Sequence, residues 1–98
     1  MIYFNNMDNI TINIVNTIGD VYGVEAEDGQ KVFELILKAF KENKKVHLSF
    51  QNIEMLTTAF LNTAVGQLYK DHSEDYIKAN LSVSDLTESG KVALKRVV

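Results

Sequence analysis

The stretch VHLSFQNIEMLTTAFL, residues 46–61, contains the two patterns that decide the fold. Apolar and polar residues alternate over residues 46–50, a period of two that is typical of a strand with one buried face. A short polar turn ends this strand. From Thr57 or Thr58 onward, apolar residues recur at helical spacing, which predicts a helix with one continuous apolar face.

The same two patterns continue on both sides of this stretch. The remaining predicted elements are a strand at residues 9–15, a short strand or irregular connection at 21–26, a helix at 30–43 capped by Asp28, one helical turn at 74–78, a strand at 79–83, and a last helix from Asp85 or Thr87 to residue 97. Alternating strands and helices favour an α/β fold, with a small mostly parallel or mixed sheet, right-handed crossovers and packed helices.

The core is predicted from the apolar positions that lie on the buried face of each predicted strand or helix. They are Ile12, Ile14, Phe33, Ile36, Phe40, Leu48, Phe50, Phe60, Val65 and Leu68. The apolar residues between the central strand and its helix, Ile53, Met55 and Leu56, are also expected to extend into the core.

Length and composition limit the class of protein. A chain of 98 residues predicts one domain, residues 1–98. We expect this domain to bind no cofactor. The absence of cysteine excludes disulfides and thiolate metal sites. Residues 1–6 show neither the basic start nor the apolar run of a secretory signal, and the longest apolar cluster, at residues 32–40, contains two charges. We therefore expect a cytoplasmic protein that does not enter a membrane.

Charge and motif spacing argue against several functions. The net charge is −3 and the basic pairs are isolated, so nucleic acid is not expected as a ligand. Neither His47 nor His72 is spaced with acids as in a metal or nucleophile motif, and no glycine pattern would cradle a phosphate. The acidic groups at residues 25–28 and 74–75 are expected to be solvated. We predict no enzyme activity and no metal site.

Thr57 and Thr58 stand where the central helix begins. A helix start exposes unpaired N–H groups, so a hydroxyl there serves either as an N-cap or as a site at which an added phosphate is stabilised. Thr58 is therefore a candidate for phosphorylation.

The stretch from Lys45 to Leu68 resembles the STAS family, the sulfate transporter and anti-sigma factor antagonist domains, and in particular the small bacterial STAS-like domains of unknown function. The resemblance lies in the LSF strand end, the IEML connection, the TTAF helix start and the GQL segment. Two positions depart from the family pattern. Ser49 replaces an aspartate, and Ala59 stands where the regulatory serine would lie, with Thr58 as the nearest hydroxyl.

The resemblance implies a non-enzymatic regulatory domain that docks on another protein, often a kinase-like or ATPase-like regulator. We expect the contact face to surround the helix start and to comprise Gln51, Asn52, Glu54, Thr57, Thr58 and Asn62. A second copy of the same chain is also a candidate partner, which would give a homo-oligomer.

The alternative is a sensor domain for a small ligand or nucleotide, because parallel α/β sheets bind ligands at the carboxyl ends of their strands. In this chain those ends are residues 16–19, 50–52 and 84–85. A deep pocket there would favour the sensor, whereas a flat face with exposed apolar residues would favour protein binding.

Overall fold

The computed structural model describes residues 8–98, and the predictions about residues 1–6 lie outside this range. The strands are β1 (Asn9–Asn13), β2 (Tyr22–Gly23), β3 (Lys45–Ser49), β4 (Met55–Leu56) and β5 (Leu81–Ser84). The helices are α1 (Ile14–Ile18), α2 (Ala26–Lys41), α3 (Thr58–Ala64), α4 (Glu74–Asn80) and α5 (Glu88–Lys95), and a 3-10 helix spans Gly66–Lys70.

Three of the strands form a parallel sheet in the order β1-β3-β5, with β3 in the centre. The short strands β2 and β4 pair in parallel as a separate ladder. Helices connect the strands, since parallel neighbours need crossovers. The α/β fold with a small, mostly parallel sheet and packed helices is therefore confirmed.

Within residues 8–98, the sheet is buried on one face only. In register, Ile12, Leu48 and Val83 form a row that packs into the core, and the neighbouring row, Thr11, His47 and Ser82, faces away from it. Parallel sheets are usually covered on both sides. Of the ten side chains predicted for the core, nine are buried, and Phe33 is half-buried against them.

The helices α2 and α3 pack against each other at Gly29. A Cβ atom at Gly29 would lie 2.5 Å from the backbone oxygen of Phe60, so only glycine permits this close approach. The sequence predicted that α2 begins at residue 30, with Asp28 as its cap. That prediction is wrong, because α2 already begins at Ala26, and Asp28 lies in its first turn, paired with Lys31.

The first strand is shorter than predicted. Asn13 ends β1 and caps α1, its side chain accepting a hydrogen bond from the Asn16 N–H, and Gly19 closes the helix in the left-handed conformation. Ile14 is buried from this helix, not from a strand. The alternating pattern of Ile10, Ile12 and Ile14 therefore continues one residue beyond the end of β1.

The last strand and helix agree closely with their predicted positions. Thr87, not Asp85, caps α5, since its hydroxyl accepts a hydrogen bond from the Gly90 N–H. Asp85 instead has φ 63° and turns the chain directly after β5. The helical turn expected at residues 74–78 is the longer helix α4, capped by Ser73.

Phe50 follows the central strand and is among the largest fully buried side chains. Replacing Phe50 with alanine should lower the free energy of unfolding by about 3–5 kcal/mol, because burial is lost and a cavity forms. Chemical denaturation measures this, with Phe33→Ala as a half-buried control that should cost less. A loss under about 1 kcal/mol at Phe50 would show that the residue is peripheral to the core.

Candidate functional site

The start of α3 is held by Thr57. Its hydroxyl accepts a hydrogen bond from the Phe60 N–H at 3.1 Å and donates one to the Val24 carbonyl at 2.8 Å. The Thr57 N–H also donates to the Gly23 carbonyl at 3.0 Å. Thr57 is thus the N-cap of α3 and fastens the helix to the segment that follows β2.

Thr58 differs from its neighbour in every one of these respects. It is the first residue of α3 and is partly exposed, and its hydroxyl has no hydrogen-bond partner within residues 8–98. Of the two threonines, Thr58 is therefore the one whose hydroxyl is accessible to chemistry.

Beside this helix start lies an apolar patch formed by Tyr22, Val24 and Met55. Tyr22 and Met55 are register partners in the β2-β4 ladder, so their side chains lie on one face, and they are 49% and 51% exposed. Val24, whose carbonyl binds Thr57, is 36% exposed. The prediction that Met55 extends into the core is therefore wrong.

The two-residue period of the β2-β4 ladder explains the orientation of Met55. The other register pair is Gly23 with Leu56, and a Cβ atom at Gly23 would touch the Leu56 and Phe60 side chains. That pair faces α3, so Tyr22 and Met55 face outward. Ile53 is buried and Leu56 is half-buried, as predicted.

The other predicted contact residues are exposed but fall into separate groups. Glu54 joins the apolar patch, because its N–H donates to the Val21 carbonyl at 2.8 Å. Gln51 and Asn52 form the turn after β3, where the Gln51 N–H donates to the Ser49 hydroxyl. Asn62 lies one helical turn beyond Thr58, so the two share a side of α3.

A hydrogen-bond network on the uncovered face of the sheet was not predicted. The Ser84 hydroxyl donates to Asp85 at 3.0 Å, so it accepts from His47 Nε2 at 2.8 Å. In the neutral imidazole, His47 Nδ1 then accepts from the Ser82 hydroxyl at 2.7 Å. The three partners are cross-strand neighbours in β3 and β5, which the sequence could show only once their register was known.

This network bears on the position where the resemblance places an aspartate. Ser49 stands there, and its hydroxyl donates to the Asp85 carboxylate at 3.4 Å. Asp85, at the end of the neighbouring strand, therefore places a carboxylate beside Ser49, the residue that replaces the aspartate.

The carboxyl ends of the strands were proposed above as an alternative ligand site. The Phe50 N–H donates to the Ser84 carbonyl, so the ends of β3 and β5 are joined directly. Of four shallow cavities within residues 8–98, each of about 220 to 330 Å³, none is lined by residues 16–19, 50–52 or 84–85.

Three of these cavities border the sheet, and one of the three lies between β1 and α2. Another, lined by His47 and Ser82 among others, lies at the amino ends of the strands. The third lies against β5 and includes Tyr69, where burial, reinforced by the Glu74 carboxylate, raises the pKa of the phenol. Within residues 8–98, no group of three histidine, aspartate or glutamate side chains could hold a metal ion.

These features define a small α/β domain that has, in the part of the chain that the structure describes, one uncovered sheet face and an apolar patch beside the start of α3. A family model described as "STAS-like domain of unknown function (DUF4325)" matches residues 28–91, about two thirds of the chain. The chain belongs to this family of STAS-like domains. A search of curated proteins and of solved structures gives no match.

The matched residues run from the first turn of α2 to the second turn of α5, so they include α3 and the β4 side of the apolar patch. The predicted resemblance is confirmed. Over residues 8–98, no helix combines the length and the apolar composition needed to cross a membrane.

The two threonines should respond differently to alanine substitution. Thr57→Ala should lower the free energy of unfolding by about 1–2 kcal/mol, since it removes the cap of α3 and the bond to Val24. Thr58→Ala should change it by less than about 0.5 kcal/mol. Urea denaturation of both variants measures the difference, and equal losses would contradict the assignment of Thr57 as the only cap.

Proposed function

We propose that this domain is a non-enzymatic regulatory module that binds another protein through the apolar patch and Thr58. The observation that carries the proposal is the exposure of Tyr22 and Met55 together, next to a threonine hydroxyl that has no partner within residues 8–98. Clustered exposed apolar side chains are typical of interaction sites, whereas single ones are ordinary.

The shape of this surface supports protein binding over a small ligand. The two large side chains lie on the outer face of a two-stranded ladder, and neither lines any of the four cavities. A small molecule needs a concave site that buries most of its surface. A protein partner instead covers a raised patch of this kind, with Thr58, Glu54 and Asn62 at its border.

The contribution of the helix dipole to this site is small. The positive end of a helix dipole stabilises a phosphate at a helix start, but α3 has only seven residues. The proposal therefore depends on exposure and position. A charge added at Thr58 would act on the partner directly across the interface.

The non-enzymatic part of the proposal agrees with how His47 is used. Hydroxyls of β5 engage both ring nitrogens, an arrangement that ties two neighbouring strands together. An esterase or phosphatase activity of the purified chain that disappears in His47→Ala would contradict this part. The resemblance suggests a kinase-like or ATPase-like regulator as the partner.

Met55→Ser should reduce partner capture at least about fivefold, because the central apolar contact of the interface is lost. The measurement is affinity capture from native cells with quantitative mass spectrometry. Leu35→Ser is the matched control, since Leu35 is 42% exposed on α2. Leu35 lies away from the apolar patch, where it lines a cavity with Lys44. Equal loss in both variants, or in neither, would contradict the assignment of this surface.

Thr58→Glu should also change the affinity for the captured partner, by about fivefold or more in either direction, while circular dichroism shows an unchanged fold. Thr58→Gln has nearly the same size without the charge and should have the smaller effect. Calorimetric titration with the partner identified in the capture experiment measures both. If Thr58→Glu binds with unchanged affinity, Thr58 is not part of the contact surface.

A further inference from the structure

The cations of this chain are absent from the elements that build the apolar patch. The first lysine is Lys31, and residues 46–69 contain neither lysine nor arginine. These two segments hold β1, α1, β2, the first turn of α2, β4 and α3. The chain has ten cations in all, so their absence here produces a strong local asymmetry.

Carboxylates, in contrast, flank the residues of the apolar patch in the chain. We name Asp20, Glu25, Glu27 and Glu54 the acidic border, and all four are exposed. Glu25 follows Val24 and Glu54 precedes Met55 in the chain. Asp20 accepts a hydrogen bond from the Tyr22 N–H at 3.1 Å.

No cation neutralises this border within residues 8–98. None of its four carboxylates forms an ion pair there. Lys31 lies one turn further along α2 but is paired with Asp28 at 3.2 Å. Lys91, on the helix that packs beside β4, is paired with Glu88 at 3.4 Å.

Like charges around an apolar centre select a partner by the sign of the charge on the partner's surface. At physiological salt the Debye length is about 8 Å, so carboxylates that border one small patch act together on a surface brought into contact with it. A partner with cations opposite them associates faster and more specifically, and an acidic partner is repelled.

We propose that the protein bound by the apolar patch presents an apolar centre bordered by lysine or arginine side chains. This inference rests on the proposed function and adds the chemical character of the partner. Membrane surfaces and nucleic acids, both negatively charged, are not ligands of this face.

Two synthetic peptides test the proposal without knowledge of the natural partner. Both carry central leucines; one has lysines on either side and the other has glutamates in their place. Each is titrated into isotopically labelled protein while backbone amide NMR signals are followed. The lysine peptide should shift signals of residues 20–27 and 54–58 and the glutamate peptide should not, and raising NaCl from about 50 to about 300 mM should weaken the lysine peptide several-fold.

The double variant E25Q/E27Q should weaken the lysine peptide by about threefold or more at low salt. The double variant D71N/D75N removes the same number of exposed charges from the far side of the chain and should have little effect. Met55→Ser should abolish binding of the lysine peptide at this surface.

The outcomes separate the two proposals. If Met55→Ser removes binding but E25Q/E27Q and salt have no effect, or if both peptides bind equally, the cationic partner is wrong and the apolar patch stands. If neither peptide shifts these signals at millimolar concentration, both proposals fail. If D71N/D75N reduces the signal shifts as much as E25Q/E27Q does, the peptide responds to net charge alone. That result would contradict the role of the acidic border.

Discussion

The rest of the structure depends on the contact between the backbones of α2 and α3 at Gly29. A side chain at that position would meet the Phe60 carbonyl oxygen, so the absence of one lets the two helices approach until Phe60 is fully buried. The sheet packs against α2 and α4, and α3 packs against α2. Close packing at this crossing therefore decides where α3 begins.

The position of α3 in turn determines where the apolar patch forms. Thr57 reaches from the helix start to the Val24 carbonyl, and this bond holds β2 beside β4 although each strand has only two residues. A ladder this short has one inward pair and one outward pair. Gly23 and Leu56 fill the inward positions over Phe60, which leaves Tyr22 and Met55 in solvent. The apolar patch is thus a geometric result of anchoring β4 to the helix.

Much of the fold, but only part of the site, could be predicted from the sequence. The periods in β3, α2 and α3 were long enough to indicate type and buried face, and the resemblance named the family. Periodicity failed where elements are short: Ile14 continues the pattern of β1 but belongs to α1, and Met55 looks like core because a two-residue strand has no readable period. The His47 network could not be predicted, because it depends on the register between β3 and β5, residues distant in the chain.

The pairing of the strands also has a kinetic consequence. Asn9 pairs with Lys45 and Val46 pairs with Leu81, so every contact in the main sheet joins residues 35 or 36 apart. No hairpin can form early and guide the next strand, and loop-closure entropy is lost before any ladder bond is gained. Folding must therefore wait for α2 and α3 to collapse together, which places this small domain among slow folders for its size. During that delay the apolar strands β1, β3 and β5 are open to other chains, a hazard that a fast-folding helical bundle of equal length avoids.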